Sequence, residues 1–502
     1  MFVMIKYTPS TQFSLLDFKH PFGVELDLNN RWVKLADSLP WDELVCIYAK
    51  SLSKNFGRKG IDARLAIAAL IIKHKLVLSD EAVIESLQEN VYQQYFAGFK
   101  SFQMNKAFDS SLFVALRKRM GKQEFDKMNL AIIRKVEAKT SLKRKKKNDD
   151  EPALPPKNQP KKGKLKIDAT VCDQMIDYPT DLKLLNKSRE ESERLIDLLF
   201  FQMKGKIKPR TYRREARKSY LSIAQKKQKK KSVIRKSIGK QLRYLKRNIK
   251  HINTLLDEIN SNNFPLDLND QKIFWVIQEV YCQQNEMYQN KKHVVADRIV
   301  NIHQPYVRPI LRGKDKHKVE FGAKINVSIR DGFSRIDRLD WNNFNESTDL
   351  TNQVENYKNC YGYYPEVVLA DNIYGTRANR KYLKEMGIRF CGKALGRPKK
   401  IKETAYQRRK RKKELGERNH IEGKFAQGKN TYGLTKNRAR RQDTSESWVS
   451  CIFFVMNLVK FSRFIFFIKK REYSVLNFIR TKMNGINLHR NISNKNFAYS
   501  GY

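Results

Sequence analysis

Pro365-Glu-Val-Val-Leu-Ala-Asp371-Asn-Ile-Tyr-Gly375 is the stretch on which the fold turns. Four apolar residues, Val367 to Ala370, run straight into Asp371-Asn372 and then Tyr374-Gly375, residues that punctuate a chain. Such a run reads as a buried strand whose acid emerges at its carboxyl end. A second acid, Asp168, lies far upstream in Leu165-Lys-Ile-Asp-Ala-Thr-Val-Cys172. Apolar and polar residues roughly alternate there, between a Lys/Gly-rich approach and Asp173, so this too reads as a strand, with its acid closing an apolar run.

The elements between and after these acids have an order of their own. Val319–Arg330 and Ser334–Trp341 read as strands joined through Asp331-Gly332-Phe333, a hairpin turn because Asp-Gly favours positive φ. A helix is expected from Thr348 to about Asn359, and another from Arg377 to about Met386, ended by Gly387 at a C-cap. The strand Ile388–Cys391 follows, and then Arg418-Asn-His-Ile-Glu422-Gly-Lys-Phe-Ala-Gln-Gly-Lys429. Arg418 is four residues before Glu422 and Lys429 is seven after it, one and two helical turns, so all three can share one helix face. Such a face can give one oxygen to a hard metal ion while its cations hold a phosphate. The same spacing also suits a solvated surface helix with i,i+4 charge pairing. The order β-β-β-α-β-α-β-α, with acids on the first strand, the fourth strand and the last helix, is that of a ribonuclease-H-like α/β fold.

From Ile61 to about Lys460 the chain resembles the DDE transposases of bacterial insertion sequences, in particular the group called the IS-five type. The phrases that carry the resemblance are Ile167-Asp168-Ala-Thr-Val171, Tyr178-Pro-Thr-Asp-Leu-Lys-Leu-Leu-Asn186, Val319-Glu-Phe-Gly322 and Val368-Leu-Ala-Asp371-Asn-Ile-Tyr-Gly-Thr-Arg-Ala-Asn-Arg380. Arg418, Glu422 and Lys429 match three of the four positions of the family's Tyr-Arg-Glu-Lys signature, while Leu415 stands in the tyrosine's place. The resemblance implies a ribonuclease-H-like catalytic domain carrying a DDE triad of Asp168, Asp371 and Glu422. It also implies a reaction on DNA, cleavage and then strand transfer at transposon ends.

Composition agrees. The chain has 502 residues, too many for one core, and carries 101 Lys and Arg against 52 Asp and Glu, a formal charge of +49. A surface of that charge calls for a polyanionic partner and binds nucleic acid with strong salt dependence. The six cysteines (Cys46, Cys172, Cys282, Cys360, Cys391 and Cys451) form no Cys-x-x-Cys pair, which argues against a zinc site or a disulfide framework and fits a reducing cytoplasm. No secretory signal opens the sequence. Trp448–Ile468 is rich in Ile, Phe and Val but contains Asn457, Lys460, Ser462 and Arg463, so it reads as a buried closing helix whose basic side faces outward, in preference to a membrane span.

Four regions follow. Residues 1–140 read as an all-α N-terminal domain, with helices at Asp62–His74, Ser79–Glu89, Tyr92–Phe99 and Ser110–Met120. Tight turns between them allow helix-turn-helix character or a plain packing module, and the resemblance implies a part in holding transposon ends. Residues 141–164 are a basic, proline-rich linker that cannot bury a core. The catalytic domain is expected over 165–468, interrupted by a helical insertion at about 189–300, and 469–502 is a basic tail. Between Lys204 and Lys250 the insertion has 20 basic residues and one acid, Glu215. Ile238, Leu242, Leu245, Ile249, Ile252, Leu256 and Ile259 then step by 4,3,4,3,4,3, a coiled-coil seam for an intramolecular hairpin or a dimer zipper.

The chemistry expected is displacement at phosphorus by water or a 3′-hydroxyl. Two Mg²⁺ ions ~4 Å apart, replaceable by Mn²⁺, would be held by Asp168, Asp371 and Glu422, with Asp168 between them. Arg418 and Lys429 would hold the flanking phosphates, by fork and by point charge. Trp341 is either a core residue or a platform for an unpaired base. The expected partners are double-stranded DNA, both ends and target, and a second copy of the chain in a homodimer, with no small-molecule substrate. Two other readings remain open: a nuclease of the same fold without strand transfer, and a non-catalytic basic nucleic-acid binder.

Overall fold

The computed structural model describes residues 19, 25–52, 60–141, 160–203, 207–259, 264–311, 319–392, 395–396 and 404–468. The linker expected at 141–164, apart from its two ends, and the tail at 469–502 lie outside the described residues. The chain builds a mixed α/β structure around one sheet. Its strands are β1 (Lys164–Asp173), β2 (Arg308–Leu311), β3 (Val319–Arg330), β4 (Phe333–Asp340), β5 (Val367–Leu369) and β6 (Arg389–Cys391). The order is β2-β3-β1-β5-β6, with β4 also paired to β3. β1 runs antiparallel to β3, with Asp168 opposite Val327, whereas β5 and β6 lie parallel to β1. β4 covers Lys324–Arg330 of β3 and β2 covers Val319–Gly322, so the two share its outer edge. Asp331 and Gly332 take φ of +49° and +79°, the two-residue hairpin that Asp-Gly predicts. β2 was not expected: four residues with a proline leave too little pattern to read, and the edge position tolerates that proline.

Helices cover both faces. α12 (Leu350–Tyr361) and α13 (Arg377–Glu385) pack on Leu165, Ile167 and Val368. On the opposite face α14 (Ala405–Thr431) and α15 (Gln442–Ile468) meet Cys172, Ile325, Val327 and Ile329. That core continues without a break into the N-terminal helices, α1 (Arg31–Ser38), α2 (Trp41–Ala49), α3 (Ala63–Leu76), α4 (Asp80–Glu89), α5 (Val91–Ala97), α6 (Leu112–Arg119) and α7 (Lys122–Ser141).

α3 shows why. Ala63 to His74 are all buried, an all-round apolar helix that needs neighbours on every side. Its buried Lys73 is neutralised by Asp80 at 2.7 Å, which Arg117 also grips with two bonds of 2.9 and 2.8 Å. A helix so enclosed cannot enter a DNA groove, so α3 is not a recognition helix. α15 is long and apolar enough to cross a membrane by length and composition. Here it is a core helix: Ile452, Val455 and Leu458 are fully buried, and fully buried Asn457 bonds the Ser334 backbone and Asn129. Such a satisfied buried amide fixes the helix against the sheet.

The insertion comprises α8 (Asp181–Phe201), α9 (Arg213–Ala224), α10 (Lys231–Glu258) and α11 (Leu268–Asn290). Leu242, Leu245 and Ile252 of the heptad seam bury against Leu195, Ile196 and Leu199 of α8 and Ile273 and Ile277 of α11. The seam therefore closes within the chain, and Ile259 falls at the C-cap of α10, past the helix.

Candidate active site

β1 and β5 pair as Lys164↔Val367, Leu165↔Val368 and Lys166↔Leu369, an offset of 367 − 164 = 203 residues. Asp168 and Asp371 differ by the same number, 371 − 168 = 203. Continued two residues past its last pair, the register leads to both aspartates, and the Asp371 carboxylate acts electrostatically on Asp168. Asp371 lies two residues beyond β5, as its sequence suggests, and is exposed at the head of the 3₁₀ turn Asn372–Tyr374. Asp168 departs from expectation. It is the fifth of ten residues in β1, because pairing with β3 carries the strand on to Asp173. Each carboxylate curls back onto the next backbone N–H, Ala169 at 2.9 Å and Asn372 at 2.6 Å.

Burial pushes the Asp168 carboxyl up to about 6. The Ala169 N–H and the Arg418 charge oppose this, whereas the carboxylates of Glu346 and Asp371 add to it. Glu346 was missed in the sequence. It begins the 3₁₀ turn Glu346–Asp349 ahead of α12 and pairs with Lys324 at 3.0 Å. Asn-Glu-Ser-Thr before a helix reads as a cap, which conceals a carboxylate brought near Asp168 only by tertiary packing. The two turns are tied together: Asn379 Nδ2 donates to the carbonyls of Ser347 and Tyr374, and the Tyr374 hydroxyl donates to Asn326 Oδ1 at 2.8 Å.

α14 begins with a capping box between Thr404 and Gln407 and runs alongside β1. Glu417 pairs with Lys164 at 2.6 Å, and His420 Nδ1 lies 3.2 Å from Lys166 Nζ. Ile421, Phe425 and Gly428 form the buried edge. At ~100° per residue, Arg418, Glu422 and Lys429 fall within ~40° of one another on one flank, as their spacing predicts. Arg418 acts electrostatically on Asp168 and pairs with Glu422 at 3.2 Å. The Glu422 side chain is 56% exposed. Lys429 acts on Cys172, farther along β1. Leu415 falls on the same flank and is exposed.

The structure thus brings Asp371 within electrostatic reach of Asp168, and Arg418, which pairs with Glu422, likewise acts on Asp168. Among the described residues no three His, Cys, Asp or Glu side chains are close enough to hold a metal ion as they stand. Trp341 is a core residue: it is buried, its Nε1 donates to Glu446 at 3.0 Å, and its ring meets Tyr306 edge-on at 4.5 Å. It is not placed to stack on an unpaired base.

The raised Asp168 carboxyl has a measurable consequence for the metal-free protein. The folded chain holds that proton more tightly than the unfolded chain, so ionisation costs stability as pH rises from about 4 to about 6, and the full cost persists above. Asp168→Asn removes it. Thermal melting in chelator should show the variant more stable by on the order of 1–3 kcal/mol at pH 8 and no different below pH 4. An equal gain at both pH values would show that the carboxyl's titration is not the cause.

Comparison with known proteins finds two family matches. The Transposase DDE domain matches residues 368–459, from β5 through α14 into α15, and includes Asp371, Arg418, Glu422 and Lys429. The Transposase domain (DUF772) matches residues 22–119, the N-terminal helices. The chain is also 30% identical over 156 residues to an uncharacterized protein, ORF8 in the nfe locus of Rhizobium meliloti, covering 31% of this chain and 68% of that one. No solved structure matches. Asp168 lies outside both matched spans, and its place beside Asp371 comes from the strand register alone. With one transposase domain matched on either side of β1, the chain belongs to the DDE transposases of bacterial insertion sequences.

Proposed function

We propose that this transposase binds the terminal inverted repeats of its element and catalyses metal-dependent cleavage and strand transfer at Asp168, Asp371 and Glu422. The observation that supports the reading is the shared offset of 203 residues: the β1–β5 register, continued two residues past its last pair, leads to both aspartates, and the Asp371 carboxylate acts on Asp168. The sheet supports a ribonuclease-H-like catalytic region: β4, β3 and β1 are antiparallel neighbours, followed by β5 and β6 parallel to β1.

The donor set suits a hard divalent cation. Asp168 is held protonated to unusually high pH by burial and by neighbouring carboxylates, a concentration of negative charge that a cation relieves. Asp168 and Asp371 would hold Mg²⁺, and Glu422 would join them by turning away from Arg418. When bound, the metal supplies charge neutralisation at the phosphate and a more acidic attacking water or hydroxyl. The protein does the rest. Arg418, released from Glu422, presents a planar fork to phosphate oxygens, and Lys429 adds a point charge on the same flank. The hydrogen bonds among Asn326, Tyr374 and Asn379 hold the turn after Asp371 in place.

The N-terminal helices and the insertion divide the remaining contacts. Residues 204–250 carry the 20 basic residues against one acid, and Arg210 and Arg247 stack on Tyr212 at 4.6 and 4.4 Å. That surface grips the DNA backbone, and the reaction belongs in the bacterial cytoplasm, where the chromosome lies. Incubating the full chain with end DNA and Mg²⁺ tests the function: nicked ends and joined products are expected. Nicking without joining would reduce the activity to that of a nuclease, and neither product would end the proposal.

Cutting two ends in concert takes two active sites, so a homodimer on paired ends is the expected assembly, most simply with twofold symmetry. Light scattering with end DNA should give two chains per complex. A one-to-one complex that still joins both ends would exclude it.

A further inference from the structure

Across α14 from the carboxylates lies a cavity of about 1160 Å³, walled by α14, α15 and the β3–β4 hairpin. The helix has two flanks. Arg418, Glu422 and Lys429 occupy one, while His420, Lys424 and Gln427 lie on the other and line the cavity. Lys460 and Arg463, one turn apart on α15, face Lys424 across it. Among the described residues none of these three cations makes an ion pair, and the charge acting on Lys460 is Asp331 in the hairpin. Of the carboxylates lining the cavity, Asp331 lies in the hairpin wall itself, Glu366 just precedes β5, and Glu137 on α7 is already paired with Arg330 at 3.2 Å.

Two further features belong to this cavity. Arg330 also lines it, with its side chain 6% exposed. The Nη2 of that guanidinium bonds Tyr363 and pairs with Glu137 at 3.2 Å, Nε faces the Asp331 carboxylate at 3.4 Å, and the group lies over the rings of Tyr357, Tyr361 and Tyr363 at 5.4, 4.0 and 5.1 Å, yet Nη1 and Nε make no hydrogen bond. A buried guanidinium with an unmatched N–H is costly and calls for an acceptor. The second feature is Gly423, a glycine inside α14 with nothing within 4 Å of where a Cβ would sit. Glycine weakens a helix interior and here leaves open space at the cavity wall.

We propose that this cavity binds the phosphodiester backbone of the DNA strand flanking the cut, through Arg330, Lys424, Lys460 and Arg463. The inference rests on the proposed reaction on DNA and adds a second phosphate site to it. The site lies a helix width, ~10 Å, from the carboxylates, so it takes phosphates a few nucleotides from the scissile one and not that phosphate itself. The described chain offers no polyanion to fill it, and residues 469–502, which follow α15, contain seven Lys and Arg and one acid, Glu472.

The test is binding of the full chain to a labelled end duplex in chelator, by fluorescence anisotropy across a salt series. Lys460→Gln with Arg463→Gln should weaken binding at least ~10-fold near 150 mM salt and lower the slope of log K against log salt by roughly 1.8, two contacts at about 0.9 each. Gly423→Gln keeps the net charge and fills open space while improving helix propensity, so it should melt no lower than the wild type and still bind at least ~10-fold more weakly. If the double variant is weaker but Gly423→Gln binds normally, charge alone matters and the cavity site is overturned. Wild-type affinity and slope in both variants overturn it equally. Failure of the underlying reading shows elsewhere, as absence of metal-dependent cleavage, which binding in chelator does not measure.

Discussion

Asp168→Asn should abolish strand cleavage, by at least about 10³-fold, while DNA binding should stay within a few-fold of the wild type. Asp371→Asn and Glu422→Gln should behave the same way. The expected reason is a separation of labour: on the proposed mechanism the three carboxylates would serve the reacting phosphate, whereas affinity would come from the basic side chains of a chain with a formal charge of +49, which loses one negative charge in each variant. Asp168→Asn is the most telling of the three, because it should stabilise the metal-free fold above pH 6 even as it removes activity. Lost activity in that variant therefore cannot be put down to misfolding. Lys429→Ala should cost less than any acid, since it removes one phosphate contact and leaves the acids in place. Steady-state cleavage of a labelled end duplex, with anisotropy for binding, reads both quantities. An Asp168→Asn protein that still cuts would defeat the site assignment.

The second large effect is electrostatic. Affinity for an unrelated duplex should fall by about 10³-fold or more between 50 and 200 mM salt if six or more phosphates are contacted, because each neutralised phosphate releases condensed counterions. Affinity for end DNA should fall along a similarly steep line, since base contacts add specificity with little salt dependence. The large basic inventory of 204–250 makes the insertion a main contributor. Replacing Arg214, Arg217 and Lys218 on α9 with Gln should flatten the slope without touching the cleavage chemistry. A flat salt response in the wild type would mean that the +49 charge does not serve DNA.

Much of the catalytic region is legible in the sequence, for local reasons. The β3–β4 hairpin follows from Asp331-Gly332, whose positive φ values few other pairs accept, and the strands on either side land within a residue of expectation. The flank shared by Arg418, Glu422 and Lys429 follows from helical spacing alone. α15 was recognisable as a core helix because Asn457, Lys460 and Arg463 interrupt its apolar run.

What depends on contacts distant in sequence was not legible. β5 and β6 are expected as strands from their apolar runs, and only their ends, at Val367–Leu369 and Arg389–Cys391, are set by the sheet. That Asp168 lies mid-strand, that Glu346 reaches its neighbourhood and that Trp341 is spent on Tyr306 and Glu446 are outcomes of packing between segments far apart in the chain. The heptad seam of α10 is the plainest case: its spacing suits a partner helix from either chain, and α8 and α11 decide which. So it is with the acids themselves. The sequence by itself determined that Asp168, Asp371 and Glu422 stand on or beside strand, strand and helix, since local periodicity and turn chemistry suffice for that. Only the tertiary structure decided that a register offset of 203 residues leads the chain from β5 to Asp371 within reach of Asp168, and that Arg418, paired with Glu422, acts on Asp168, because register is chosen by the burial of whole strand faces and by no residue alone.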